Sequence, residues 1–411
     1  MRCTISVLIL LLLARAPFAH AQALGPESIA ARLAEPAKSE AEPDDLTSLS
    51  RATLSAQSSA EGRKPPSIYD KIWKFTNLYE NDSNRVVQKV VFTGRYQHDY
   101  AALDANQGRL DEWNVRRVRL GSKWTLFRTL TLHGEVELNP QEAEPLYTRV
   151  TDMYLQWSPS RRLALTVGKH GVPFTMDGAT SSKELLAIDR SNLSNNMWFP
   201  QEYIPGVTVS GKIAPWVYRA GMFSAGGANR EFGDFDGGVF ALGVLGYDFA
   251  RRLGVKQALL SGHYVFQQHD QRNTFTRRLD QVVSANFRFE ATRWGARTDF
   301  SAASGYLGQG NLVGVMAMPF VNLTRQFQLV GRYTFLDGDG PNTVRTTIYE
   351  SQLATGLGDR YNELYVGVNY FFYGHKFKLQ SGLQIADMQD SVDDGGAYSG
   401  VSWNSGLRLS W

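Results

Sequence analysis

The stretch Leu364-Tyr365-Val366-Gly367-Val368-Asn369-Tyr370-Phe371-Phe372-Tyr373-Gly374-His375-Lys376-Phe377-Lys378-Leu379-Gln380-Ser381-Gly382-Leu383-Gln384-Ile385 decides the fold. Leu364, Val366, Val368, Tyr370 and Phe372 fall on one face of an extended chain, a period of two. After Gly374-His375 the pattern resumes. Phe377, Leu379, Leu383 and Ile385 alternate with Lys376, Lys378, Gln380 and Gln384. Each run has about ten residues, the length of a tilted strand crossing a bilayer.

Working outward, sixteen such segments are found: 85–98, 113–125, 129–138, 147–157, 162–170, 206–213, 216–224, 238–249, 256–268, 279–290, 293–303, 312–319, 325–336, 361–373, 376–387 and 400–411. Those at 238–249 and 312–319 alternate least. Connections run long, then short: 99–112, 126–128, 139–146, 158–161, then a very long 171–205 and the pair Ala214-Pro215. The expected fold is all-β: a transmembrane antiparallel barrel of about 16 strands. Its long loops are extracellular, its short turns periplasmic, and its third loop folds into the lumen. Soluble sandwiches and propellers also use many short strands, but neither predicts strict long–short alternation. Lipid offers no hydrogen-bond partner, so such a sheet must close on itself. Trp124, Trp157, Tyr218, Tyr247, Trp403 and Trp411 stand at segment ends, where interfacial girdles need aromatics. Sixteen strands enclose a lumen too wide for side chains alone to fill, so a wet lumen is expected.

Composition agrees. Mean hydropathy is −0.29 with 12% aromatic residues, which excludes a helical membrane protein but permits a barrel. Arg2, the apolar run Ile5 to Leu13 and Ala19-His20-Ala21 read as a cleaved secretory signal at 1–21. Cys3, the single cysteine, would leave with it, so disulfides are not expected. The remainder carries 41 basic and 40 acidic residues, and nothing in that balance points to nucleic acid. Residues 22–70, rich in Ala, Pro, Ser and Glu, read as a flexible periplasmic leader. The barrel domain is expected over 71–411.

A wide barrel selects only at a constriction, and 171–205 is the loop long enough to make one. Its Lys183, Glu184, Asp189 and Arg190 supply mixed charge. The first two strands are strongly basic. Alternation puts Lys89, Arg95, Arg117, Arg119 and Lys123 on the luminal face, because a lipid-facing Arg or Lys at mid-bilayer costs roughly 2–4 kcal/mol. Arg116 breaks the pattern and is expected to snorkel near the rim. Further inward cations are Lys212, Arg219, Arg288, Arg297, Arg332, Lys376, Lys378 and Arg408. Glu135, Glu137, Asp152, Glu290, Asp299 and Glu363 oppose them. A neutralising network and an anion-conducting wall both fit that set. Leu407, Leu409 and Trp411 form an outward terminal strand of the kind barrel-assembly machinery reads. No nucleophile motif, metal spacing or cofactor motif emerges, so no catalytic role is expected. The readings that compete are a non-conducting structural barrel and a barrel hydrolase built on His98 with Asp99 or Ser261 with His263.

An ordered set of motifs is similar to one family. It comprises Val115-Arg116-Arg117-Val118-Arg119-Leu120-Gly121, Val167-Gly168-Lys169, Pro173-Phe174, Thr180-Ser181-Ser182-Lys183, Asp189-Arg190-Ser191, Tyr361-Asn362-Glu363-Leu364 and Gly367 to Gln380. Together these resemble the phosphate-selective porins O and P over about residues 85–411. The resemblance implies an outer-membrane homotrimer of sixteen-stranded barrels in a Gram-negative bacterium. It also implies passive diffusion of small hydrophilic solutes and ions, inorganic anions such as phosphate among them, past basic wall residues facing the third loop. Asp189 stands where members often carry glutamate, and the loop's net charge is negative.

Overall fold

In the computed structural model the described residues are 67–411, less 142–143, 198–202, 227–233 and 273–276. The expected signal 1–21 and the leader up to residue 66 lie outside them. Ser67 caps a short helix, α1 (Ile68–Ile72), through a reciprocal pair with Asp70: the Asp70 N–H donates to Ser67 Oγ at 3.1 Å and the Ser67 N–H to Asp70 Oδ2 at 2.7 Å. This capping box starts three residues inside the segment expected as leader. A 3₁₀ turn (Trp73–Thr76) and a short strand, β1 (Asn77–Glu80), follow.

The sixteen expected strands are all present. They are β2 (Val87–Ala105), β3 (Gly108–Leu126), β4 (Leu130–Leu138), β5 (Tyr147–Ser160), β6 (Leu163–Gly171), β7 (Tyr203–Ile213), β8 (Trp216–Gly226) and β9 (Asp234–Asp248). Then come β10 (Gln257–Gln267), β11 (Leu279–Glu290), β12 (Trp294–Gly305), β13 (Leu312–Asn322), β14 (Phe327–Gly338), β15 (Arg360–Tyr373), β16 (Phe377–Gln389) and β17 (Tyr398–Ser410). Every neighbour pair is antiparallel, and β17 closes on β2 from Gly400↔Ala105 to Ser410↔Arg95. Closure leaves no edge and satisfies the backbone without water. Two further bonds join Gly94 and Trp411, at 2.9 and 3.1 Å, so the ladder continues past the last strand residue.

Below that point β17 has run out, and β1 takes its place on β2 (Tyr79↔Val90, Glu80↔Lys89). The Trp411 ring lies over Gly94, where an added Cβ would stand 2.6 Å from a ring carbon and 2.5 Å from the Arg119 carbonyl. Only glycine fits there. Trp73 Nε1 donates to the Ser410 carbonyl at 2.8 Å and Tyr373 donates to Asp70 at 2.5 Å, so α1 and its turn dock on the short-turn rim.

Two expectations change. Residues 99–112 are not a loop: β2 and β3 run on to a tight turn at Asn106-Gln107. The short-turn side has one longer connection, 249–256, holding a second helix, α2 (Ala250–Leu253).

Candidate functional site

The segment between β6 and β7 folds into the barrel. It carries a short helix, α3 (Asn192–Met197), and its Val172, Phe174, Met176, Leu186, Ile188, Leu193 and Met197 are all buried. All of these but Ile188 join a cluster with Phe223, Phe240, Leu242 and Val244 of β8 and β9, Leu259 of β10, and Met316, Met318 and Phe320 of β13. At roughly 1.5–3 kcal/mol per buried large apolar side chain, seven of them fix the loop firmly, an upper bound given a compact unfolded chain. The luminal faces of β9 and β13 are therefore largely apolar where they meet the loop, while β8 and β10 also present buried Arg219, Ser261, His263 and Gln267. The connection after β14 also turns inward, with Val344, Tyr349, Glu350 and Ala354 buried. It meets the first loop where Asn192 Nδ2 donates to the Arg345 carbonyl at 2.7 Å and the Arg345 N–H to Asn196 Oδ1 at 2.9 Å. Glu350 accepts from Tyr361, Gln384 and the Thr347 N–H. Burial pushes its carboxyl above the usual range.

The opposite half of the lumen is charged. Arg95, Arg117 and Arg119 are buried on the luminal face of β2 and β3. Arg95 pairs with Glu135 at 3.0 Å and donates to Ser182 Oγ of the loop at 2.7 Å. Arg119 reaches Glu137 at 3.1 Å, and Arg117 donates to Gln97 at 3.1 Å. Arg332 holds Glu363 at 2.6 Å, and Arg408 holds Asp99. Across the ladders, Arg95 stands opposite Arg119, Arg288 opposite Arg297, and Lys378 opposite Arg408. Like charges directly opposite are unfavourable, yet three such pairs line one lumen.

The loop answers these cations mainly with carbonyls. Arg288 donates to Met176 O at 3.0 Å, Lys378 to Leu185 O at 2.5 Å, Arg408 to Ile188 O at 3.2 Å and Arg332 to Asp189 O at 2.7 Å. Arg332 and Arg408 also have the carboxylates of Glu363 and Asp99, and the loop carbonyls satisfy remaining donors without adding counter-charge. Among the described residues, twelve buried Lys and Arg side chains stand against eight buried Asp and Glu. The chain as a whole is nearly neutral, but its interior is not.

The remaining sequence candidates divide. Lys123 lies lower on β3, opposite Val91 and His133. Lys89 sits at the short-turn rim, half-exposed and paired with Glu80 of β1 at 3.2 Å, away from the inward loop. Arg190 is spent within that loop, donating to Asp177 O at 2.9 Å and Thr180 O at 3.2 Å. Lys183 reaches the Trp411 main-chain oxygen at 3.4 Å, and Glu184 lies in the field of Lys378. Asp189 faces Arg116 at 3.7 Å. Arg116 thus points inward and does not snorkel. β3 carries one extra residue opposite β2, with Val115 and Arg116 together facing His98 between the pairs Gln97↔Arg117 and Asp99↔Asn114, and this bulge re-aims the side chain. Lys212 pairs with Asp248, Glu290 with Lys256, and Lys376 is exposed in a turn, so all three belong to the rim. Arg277 is a buried charge that the sequence reading did not single out, and Lys169, quoted there only within a motif, and Asp99, taken only as a hydrolase candidate beside His98, are buried charges to which it gave no luminal role. For Asp99 the alternation Arg95, Gln97, Asp99 was the available signal. Leu407 and Leu409 face outward, flanking buried Arg408.

Ser261 and His263 do meet, at 3.1 Å, but His263 Nδ1 has no partner and no carboxylate orients the ring. A nucleophile–base pair needs that third group. No cluster of metal-ligating side chains occurs among the described residues.

The sequence profile of the family "Phosphate-selective porin O and P" matches residues 90–307. No curated protein matches the sequence. Solved structures match the fold. One is the OmpF complex of Salmonella typhi with daunomycin, at TM-score 0.57 and 10% identity, covering 82% of this chain and 100% of that one. Another is a high-pH structure of Pseudomonas putida OprB, at 0.55 and 11%, covering 78% and 94%. A third is the outer-membrane channel DcaP of Acinetobacter baumannii, at 0.52 and 11%, covering 81% and 100%.

Proposed function

The chain belongs to the phosphate-selective porin O and P family and is an outer-membrane channel of a Gram-negative bacterium, and on that footing we propose that its permeants are small anions, phosphate among them. The observation that carries this is the luminal charge: twelve buried cations against eight buried carboxylates among the described residues, three facing cation pairs, and a loop that meets Arg288, Lys378 and Arg408 of those pairs with carbonyls. A protein that needed only a closed barrel would gain nothing from opposing Lys378 and Arg408. A channel gains a positive field at its neck, where low-dielectric walls focus it. Arg95, Arg117, Arg119 and Lys123 form the basic wall, and the loop carrying Lys183, Glu184, Asp189 and Arg190 sets the opening. Lys89 belongs to the rim and not to this wall.

The channel does its work by diffusion, without a covalent step and without a cofactor. The homotrimer, and recognition of Leu407, Leu409 and Trp411 by the barrel-assembly machinery, belong to the same proposal. The test is efflux from proteoliposomes loaded with phosphate and choline. Phosphate leaving several times faster than choline supports the reading, and choline leaving as fast or faster refutes it.

A further inference from the structure

Where the middle of β3 (Asn114 to Arg117) faces the last residues of β4 and the first of β5, beside Asn139 and Gln141, a cavity of about 360 Å³ opens on the long-loop side. That volume is at the lower end of those that hold small organic ligands, roughly 300–1,000 Å³. Three guanidinium groups line it, from Arg116, Arg117 and Arg149. Its single carboxylate is Glu137, which Arg149 contacts at 2.7 Å and Arg119 also holds. Asp189, on the inward loop, faces Arg116 at 3.7 Å. The pocket keeps an excess of positive charge even with both acids counted. The rest of its polar lining is uncharged: Asn114, Asn139, Gln141 and Thr148.

The backbone is irregular at this place on both flanking strands. On β3, Val115 and Arg116 stand against the single His98 of β2, one residue extra between Gln97↔Arg117 and Asp99↔Asn114. On β5, Thr148 is the extra residue between Glu137↔Arg149 and Leu138↔Tyr147. Without those insertions, strict alternation would leave Arg116 facing away from the lumen. Gln141 accepts from the Val115 N–H, a backbone donor that the β3 bulge frees. Bulges concentrate where a strand re-aims a side chain next to a binding site, and here two converge on one cavity.

We propose that this cavity is a binding subsite for a polyhydroxylated anion of monosaccharide size, with a carboxylate or a phosphate ester as its charged head. The guanidinium planes of Arg116 and Arg149 suit a two-oxygen head, which Arg recognises in bidentate fashion. The amides and the Thr148 hydroxyl offer both donors and acceptors, which a simple inorganic anion does not need and a polyol does. The subsite lies at the mouth, ahead of the neck formed by Arg95 and Arg119 and the inward loop. It would raise the local concentration of such solutes before they reach the positive field. The inference rests on the anion reading above and adds to it a solute class and a place.

The experiment uses the assembled channel in planar bilayers, with chloride current recorded while a probe is added to one side. Gluconate or glucose 6-phosphate on the long-loop side is expected to reduce the current in the millimolar range, and less so from the other side. Acetate, inorganic phosphate and glucose at equal concentration are expected to reduce it at least tenfold less. Arg149→Gln is expected to raise the half-blocking concentration about tenfold. Because Arg149 also pairs with Glu137, Thr148→Glu provides a second variant. It places a negative charge at an exposed position of the pocket and is expected to do the same.

Gluconate blocking without glucose 6-phosphate assigns the head as carboxylate, the reverse assigns phosphate ester, and either supports the subsite. Inorganic phosphate or acetate blocking as well as gluconate overturns the polyol part, and glucose blocking equally overturns the charged part. Block that is equal from both sides, or unchanged in both variants, removes the cavity from the account. The wild-type reversal potential, read in the same bilayers, separates these failures from failure of the anion preference itself.

Discussion

Lys378 separates a structural cation from a functional one. Its side chain is fully buried, opposite Arg408 across the β16–β17 ladder, and its ammonium donates to the Leu185 carbonyl at 2.5 Å. In Lys378→Met the shape is nearly kept and the charge is lost. Two unit charges roughly 6 Å apart repel by about 3 kcal/mol at an effective dielectric near 20, and the variant relieves that. It also loses a charged hydrogen bond, worth about 1.5–3 kcal/mol. The Leu185 carbonyl keeps Gln380 Nε2 at 3.2 Å, so no acceptor is stranded. Stability is therefore expected to stay within about 2 kcal/mol of wild type, on either side.

Permeation should respond differently. For an anion passing at the same separation the lost attraction is about 3 kcal/mol, of which screening at 0.1 M salt leaves about half. About 1.5 kcal/mol is roughly tenfold in occupancy at the neck. The assays are heat-modifiable mobility against temperature and the chloride-to-potassium permeability ratio near 0.1 M. A clear fall in unfolding temperature with an unchanged ratio would refute the reasoning and make Lys378 a structural residue.

The other predictions are simpler. Phe174→Ala removes a fully buried ring from the inward loop; at about 3–5 kcal/mol it should loosen the loop and raise open-channel noise, while the barrel still migrates folded. Gly94→Ala drives a Cβ into the Trp411 ring and the Arg119 carbonyl, and should lower the yield of assembled barrel severalfold on surface labelling. Arg332→Gln strands Glu363, its partner at 2.6 Å. Breaking such a buried pair costs about 3–5 kcal/mol, so the unfolding temperature should fall, and Arg332→Leu with Glu363→Leu should recover most of the loss. The Tyr373 hydroxyl, then Ser67, hold the Asp70 carboxyl below its ordinary 3.8. A lowered folded-state value stabilises docking of α1 fully above pH 3.8 and loses that contribution as pH falls through the lowered value, so protease cleavage before β1 should rise below that pH.

The strands were legible because lipid on one side and polar groups on the other force a period of two. Legibility failed where one of those solvents was missing. β9 and β13 alternate poorly because their inner residues, Phe240, Leu242, Met316 and Met318, pack on the inward loop and are as apolar as the outer ones. β2 and β3 were cut short at 98 and 113 because, past the outward pair Tyr100 and Trp113, the outward positions Ala102 and Asp104 of β2 and Asp111 and Arg109 of β3 are not the large apolar side chains that lipid selects.

The in-and-out assignment of Arg95, Arg117 and Arg119 followed from alternation, but Arg116 could not. Two adjacent arginines give no sign of which strand carries the extra residue. The inward turn of 339–359 was within reach, since the length that marks 171–205 as a folded loop marks it too. The role of Arg190 was not, because its partners are backbone carbonyls that no side-chain pattern reveals.

The central claim is that the interior holds an uncancelled positive charge which selects the permeant. The most direct test is the reversal potential of the reconstituted channel in a tenfold potassium chloride gradient, for wild type and for Arg288→Met with Lys378→Met. The account predicts a wild-type potential on the chloride side of zero, moving toward the potassium side in the double variant. A wild-type potential on the potassium side would contradict it.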